Sequence, residues 1–242
     1  TLERVLPAAV HTEAQIPKNR LESYFPLRVR RNIGLWFCNI ALSPLVVIPI
    51  TLWASLHTLG WRPEILKGVQ GLLLDVLLLD FLIYWWHRLN HEIPFLWRFH
   101  EIHHLDDFLD TTSAFRFHFG EVLLSAMMRA VVVIILDISI ISVILFETII
   151  LISTLFHHSN LKIPKAVETY LSRFLITPEI HWVHHHAKRE DTDSNYGTIF
   201  SWWDPLFGSR SPNARESNMR IGVEGARDKE LLQLLQRPFR KR

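Results

Sequence analysis

Residues 33–59, IGLWFCNIALSPLVVIPITLWASLHTL, run for 27 positions without a charged side chain. At about 1.5 Å per residue, a helix of that length is enough to cross a hydrocarbon core about 30 Å thick. A soluble helix this long normally shows a polar face, and this one has none. Inside a bilayer every backbone polar group must be satisfied within the protein, which restricts a spanning segment to a helix or a closed barrel. The run therefore predicts a membrane helix, kinked at Pro44 and Pro49.

Two further apolar stretches follow. Residues 68–86 hold Asp75 and Asp80 among leucines and end in Tyr84, Trp85 and Trp86, residue types suited to a membrane interface. Residues 122–156 are interrupted by Arg129, Asp137 and Glu147. That length is too great for one span and just adequate for two short ones, so a helical hairpin turning near Asp137 is expected. Its arms, 120–137 and 138–156, would each be about 25 Å long, enough to cross or to dip in. The expected fold is all-α: an integral membrane helical protein with about four transmembrane or re-entrant helices in two hairpins, forming one domain over 1–242. Basic residues crowd the N-terminal flank (Lys18, Arg20, Arg28, Arg30, Arg31) and the C-terminal region. The positive-inside rule then puts both termini, and every histidine cluster, on the cytoplasmic side. A net charge of +2 gives no reason to invoke nucleic acid, and the lone Cys38 excludes a cysteine-based metal site or disulfide within one chain. No cleavable signal peptide is expected, since the first apolar run starts only near residue 33.

Between and beyond the apolar runs lie histidines. Of 14 in the chain, only His11 and His57 stand outside residues 87–186. His87-x3-His91 and His100-x2-His103-His104 fall within eighteen residues, and His181-x2-His184-His185 repeats the second spacing downstream. On a helix, positions three or four apart share a face, so each box can aim two or three imidazoles at one point. Imidazole ligates zinc, copper, iron and nickel. Eight histidines in three boxes exceed what one ion takes, so two metal ions held together are expected. Pro94 should break the helix between the first two boxes. Of His157 and His158, neighbours that cannot easily both ligate, His158 is favoured; His186 reads as a bystander. Asp80, Tyr84, His87 and His91 lie on one helical stripe, so Asp80 could orient a ligating histidine or, alternatively, bond Tyr84 or a neighbouring helix. Asp106, Asp107 and Asp110 read as a solvated loop, with Asp110 a candidate N-cap.

The combination Asp80-x3-Tyr84-x2-His87-Arg88-x2-His91, Trp97-x2-His100-x2-His103-His104, Arg116-x-His118, His158-Ser-Asn160, His181-x2-His184-His185, Asn195-Tyr-Gly197 and Trp203-Asp204-x2-Phe207-Gly208 resembles the fatty acid hydroxylase superfamily, also called the sterol desaturase family. The likeness runs from about Leu21 to Phe239. It implies a membrane di-iron enzyme that uses O2 to hydroxylate or desaturate a lipid such as a fatty acyl chain or a sterol, with zinc able to replace iron in a structure. It implies His87, His91, His100, His103, His104, His181, His184 and His185 as ligands, with His158 added and His118 a further candidate. Asp80 and Asn195 would orient ligands. Arg88 and Arg116 would contact a polar head group or a redox partner, or else form ion pairs. No flavin, nicotinamide or haem fingerprint is present, so electrons are expected from a separate ferredoxin- or cytochrome-type donor. Hydroxylation is favoured over desaturation, and neither the lipid nor the oligomeric state is legible.

Two other classes compete. His100-Glu101-x2-His104 fits the zinc metalloprotease pattern H-E-x-x-H, in which the glutamate is the general base. It leaves the other boxes unexplained. A metal transporter would place its ligands near the bilayer midplane, whereas these boxes lie beyond the helix ends.

Overall fold

The structure, a computed structural model, describes residues 2–9, 18–216 and 218–240. His11 lies outside the described residues. In chain order the helices are α1 (Leu2–Val5), α2 (Lys18–Leu42), α3 (Ile48–Leu56), α4 (Val69–Glu92), α5 (Pro94–His104), α6 (Phe119–Leu136), α7 (Ile140–His157), α8 (Lys165–Leu171), α9 (Pro178–His184), α10 (Arg189–Thr192), α11 (Trp203–Leu206) and α12 (Leu231–Gln236). Among the described residues there is no β-strand, only three isolated bridges.

Four helical segments are long and apolar enough to cross a membrane: Phe25–Leu56, Val69–Glu92, Phe119–Leu136 and Ile140–His157. The first is α2 and α3 joined through a π-helical turn at Ser43–Val47. Pro44 sits at the start of that turn, where its missing N–H and its ring disrupt the i→i−4 ladder. The expected kink is thus a single wide turn within a continuous helix. The second span runs to Glu92, six residues past the expected end at 86, so the first histidine box rides on the membrane helix itself. Pro94 then starts α5 at a position that needs no N–H donor, and the helix breaks between the boxes as the sequence predicts.

The turn near Asp137 is present. Asp137 caps α6 in the left-handed region at φ 55°, which a short polar side chain tolerates, and Ser139 caps α7 by accepting from the Ser142 N–H at 3.1 Å. The two arms of this hairpin scarcely touch each other. Instead α6 packs on α3 and α7 packs on α4. Ala54, Leu79, Ile83, Ala130, Val133, Val143 and Phe146 form the core of this assembly. Leu45, Leu73, Val131, Ile144 and Ile152 point outward, as lipid-facing side chains do. The loop after α3 meets the Asp137 turn: Leu59 and Trp61 donate to the carbonyls of Ile134 and Ile135, and the Arg62 N–H donates to Asp137. Both inter-span loops therefore lie at the end of the bundle opposite the histidines.

Two readings of the loops are corrected. Asp106 is fully buried, not solvated, and Arg28 is not a flanking surface charge. Arg28 reaches Asp106 and Asp110, each at 2.6 Å, and the Phe108 carbonyl, also at 2.6 Å. A buried guanidinium needs several acceptors at once, and the 106–113 loop is folded around it. Burial raises the Asp106 pKa, but Arg28 and Arg116 more than offset that and hold it below the usual carboxylate range. Asp110 does cap the following turn, in a reciprocal arrangement with Ser113. At the C-terminal end, Leu234 of α12 is buried against Leu35, Ile102 and Leu105, so α12 docks on the protein.

Candidate metal centre

Nine histidines converge at one end of the bundle in two groups. His87 and His91 from α4, His100 and His104 from α5, and His184 from α9 form one. His103 from α5, His158 just past α7, and His181 and His185 at the end of α9 form the other. Within each group the ligand nitrogens lie within 4.8 Å of one another, and all but the part-exposed His87 are buried. The His-x2-His-His spacing explains the division. In α5, His100 and His104 share a face while His103 is turned to the next; in α9, His181 and His185 share a face and His184 faces the other group.

Tautomers follow from the partners. A carbonyl oxygen can only accept, so a ring nitrogen facing one carries the proton and the opposite nitrogen is left with a lone pair. His87 Nδ1 faces the Tyr196 carbonyl at 2.8 Å, His184 Nδ1 the Ser194 carbonyl at 2.6 Å, His158 Nδ1 the Thr154 carbonyl at 2.8 Å and His103 Nδ1 the Arg116 carbonyl at 3.3 Å. The lone pairs so created point at each other. His158 Nε2 lies 3.0 Å from both His103 Nε2 and His181 Nε2, His181 lies 3.1 Å from His185, and His100 lies 3.2 Å from His104. The Nε2 atoms of His87 and His184 are buried without a partner. Two ligands about 2.1 Å from one cation, at angles between square and tetrahedral, sit roughly 3.0–3.4 Å apart. The spacing and the orphaned lone pairs fit one metal ion in each group.

Electrostatics agree. Burial lowers the pKa of His184 to about 3 and that of His158 to about 4, and pushes His103, His104, His181 and His185 well below the ordinary value. These imidazoles are neutral, the form a metal requires. Acids stand behind two further histidines of the five-membered group: Glu121 Oε1 accepts from His100 Nδ1 at 2.8 Å, and Asp193 lies 3.4 Å from His91.

Some expected site residues lie elsewhere. The structure does not bring His118 to either group: it caps α6, its Nδ1 accepting from the Gly120 N–H at 2.9 Å and its Nε2 donating to the Leu235 carbonyl at 3.1 Å. Asp80 touches no histidine. It accepts from the backbone N–H of Ile199 and Phe200 at 3.2 and 3.3 Å and from Trp203 Nε1 at 2.7 Å. Asn195, at φ 53°, accepts from the Ser211 N–H and donates to the Ile180 carbonyl. Both residues shape the loop that aims the Ser194 and Tyr196 carbonyls at His184 and His87. Asp204 completes that loop, taking the Tyr196 and Gly197 N–H groups at 2.7 and 3.0 Å. Arg116 is wholly buried and bonded to the Ile102 carbonyl, Asn32 and Asp228; Arg88 pairs with Glu92 at 2.7 Å. Glu101 is held by Arg237 at 2.8 Å, an arrangement that gives no support to a general base at the histidines. His186 bonds Asp191 at 2.6 Å, and His157 stacks on His181 without joining either group. Sequence reasoning missed Glu121, whose signal was an acid three residues after His118 at the start of a helix. A third group of acids, Asp106, Asp107 and Asp228, has two members already paired with arginines.

Known proteins resemble this chain in sequence. An ornithine lipid hydroxylase of Rhizobium tropici is 28% identical over 76% of this chain and 55% of its own length. A cholesterol 25-hydroxylase-like protein of Danio rerio is 27% identical over 81% of this chain and 82% of its own. The human alkylglycerol monooxygenase is 28% identical over 54% of this chain and 28% of its own. The chain thus spans about half the length of the first of these relatives and most of the second. No solved structure gives a significant match. The fatty acid hydroxylase profile covers residues 72–209, more than half of the chain, which contain all nine converging histidines. That match makes this chain a member of the fatty acid hydroxylase family, with four apolar helices and two histidine groups able to hold metal ions.

Proposed function

We propose that this protein is a membrane-bound di-iron hydroxylase that inserts an oxygen atom from O2 into a C–H bond of a lipid. The observation that carries the reading is the pair of adjacent all-histidine sites, five donors beside four. Iron bound there would supply the activation of O2 that attack on an unactivated C–H bond needs. The chain's own residues do the rest. The carbonyls of Ser194, Tyr196, Thr154 and Arg116 fix the tautomer and aim of four ligands, and Glu121 fixes a fifth. Burial excludes water from the ligands.

A cavity of about 560 Å³ opens onto His87, His100, His103, His158 and His181 and extends between α2, α4, α6 and α7. Trp36, Ile83, Trp86, Val122, Ile150 and Leu151 give it largely apolar walls. It is shaped for an acyl or sterol-like body lying in the plane of the spans with one carbon held at the histidines. On this reading a separate ferredoxin- or cytochrome-type donor brings the electrons, and the histidine end faces the cytoplasm with both termini.

Lipid mass spectrometry on cells grown under heavy-oxygen gas tests the proposal, with His103→Ala as control. The expected result is a heavy-oxygen label in one lipid class that the variant lacks. A lipid lighter by two hydrogens and unlabelled would replace hydroxylation by desaturation at the same centre. Identical lipids in both strains, with iron present in the wild type, would contradict a lipid oxygenase of either kind.

A further inference from the structure

The far end of the cavity carries the feature that the histidine centre does not explain. Arg129 of α6 and Glu147 of α7 both line it, and Arg129 Nη1 lies 3.1 Å from Glu147 Oε1. Both sit near the middle of their spans. Charges at such depth are costly, and where they persist they face an interior and serve a function. The pair bridges the two arms of a hairpin that otherwise scarcely touch, so it closes the slot between α6 and α7 at that depth.

The distance from the histidines follows from the helices. Arg129 lies eight residues along α6 from Glu121, and Glu147 lies eleven residues back along α7 from His158, which places the pair roughly 12–17 Å from the metal centre. The wall between carries mostly apolar side chains. The pair is also under-used. Arg129 is 11% exposed and makes a single ionic contact, with no other acceptor among the described residues; Glu147 is 45% exposed and its second oxygen has no donor among them. A guanidinium has five N–H donors. The site therefore offers free donors and a free acceptor side by side, with no net charge. A carboxylate or phosphate would meet the negative charge of Glu147. A hydroxyl, which donates and accepts at once, would satisfy both partners.

We propose that Arg129 and Glu147 form a receptor for an uncharged hydroxyl at the unreactive end of an otherwise apolar substrate. This rests on reading the histidine centre as the place of oxidation. The substrate class is then an alcohol-bearing lipid whose hydroxyl and reacting carbon are separated by an apolar body about as long as the cavity. Lipids with a charged head group are excluded from that end, because their head would have to be buried at mid-membrane depth.

The test uses the full chain in nanodiscs and three bromine-tipped probes of equal chain length: ω-bromoundecanol, ω-bromoundecanoic acid and bromoundecane. Trp36 and Trp86 line the cavity, and bromine quenches indole fluorescence at short range, so the saturable part of the quenching reports occupancy. The expected result is half-saturation by the alcohol at a concentration about tenfold below that of the other two, the worth of one or two good hydrogen bonds. Arg129→Met combined with Glu147→Leu, which removes both the donors and the acceptor, should bring the alcohol to the level of the bromoalkane with iron content unchanged. Equal half-points for alcohol and alkane in the wild type overturn the proposal without recourse to any variant. So does a preference for the acid, or a preference for the alcohol that survives the double substitution. Iron measured on the same samples keeps the two readings apart. A wild type that selects the alcohol but binds no iron retains the receptor and defeats the oxidation centre.

Discussion

Glu121 shows how much of this centre is decided by single side chains that never touch a metal. Its carboxylate accepts from His100 Nδ1 at 2.8 Å, in a position 6% exposed, and so fixes which nitrogen of His100 is turned inward. Partners of this kind typically govern metal affinity by about 10–100-fold. Glu121→Ala should weaken iron binding by that factor at the five-histidine site while leaving the four-histidine site filled; titration of the metal-depleted protein with iron checks it. The converging histidines were legible because their spacing repeats. Their orienting partners were not, since four are backbone carbonyls and carry no residue signature. Asp80 shows the limit of that signal. It shares a helical stripe with His87 and His91, yet its carboxylate is taken by Trp203 and two backbone N–H groups. A stripe tells which way a side chain points and not what comes to meet it. His118 failed as a ligand for a related reason: a helix start needs an acceptor for its free N–H groups, and His118 supplies one.

At the scale of elements, helix α2 is fastened to the histidine-bearing part of the chain through a buried arginine, with Asn32 beside it. Arg28 takes acceptors from Asp106, Asp110, Ser113 and the Phe108 carbonyl, all in the loop that follows α5. Removing one partner of a buried pair leaves an uncompensated charge and costs about 3–5 kcal/mol. Arg28→Leu should therefore lower the thermal unfolding midpoint in detergent markedly, whereas Arg30→Leu, at an outward position, should leave it nearly unchanged. The spans could be read from length and apolarity, and the helix breaks from Pro94 and Asp137. The role of Arg28 could not, because an arginine before a membrane helix has the same sequence signature whether it faces head groups or a buried aspartate. The geometry of the 195–197 loop was also beyond reach, although its residues stand among the motifs. Gly197 is required there because an added Cβ would lie 2.9 Å from both the Phe200 carbonyl oxygen and Asp204 Oδ2, a close approach made only in the folded chain.

For the whole molecule, the histidine end is a store of neutral imidazoles kept from water. Outside the spans, burial holds His103, His104, His158, His181, His184 and His185 below the ordinary histidine pKa. The unfolded chain would protonate the same groups near pH 6.5. As pH falls below that value the unfolded state takes up more protons than the folded one, so stability is lost. The unfolding midpoint of metal-depleted protein should drop between pH 7.5 and 5.5, and bound metal should raise the midpoint across that range without flattening the drop, because it too binds only the deprotonated folded form. A midpoint that does not move with pH would show that the imidazoles are hydrated. The most direct test of the whole account is iron per chain, measured by elemental analysis on the protein and on two double variants, His87→Ala with His91→Ala and His158→Ala with His181→Ala, one pair in each group. The account predicts about two iron ions in the parent chain and about one in each variant, since an emptied site leaves its neighbour's ligands in place. A single iron in the parent chain, or a variant that retains the full complement, would contradict it.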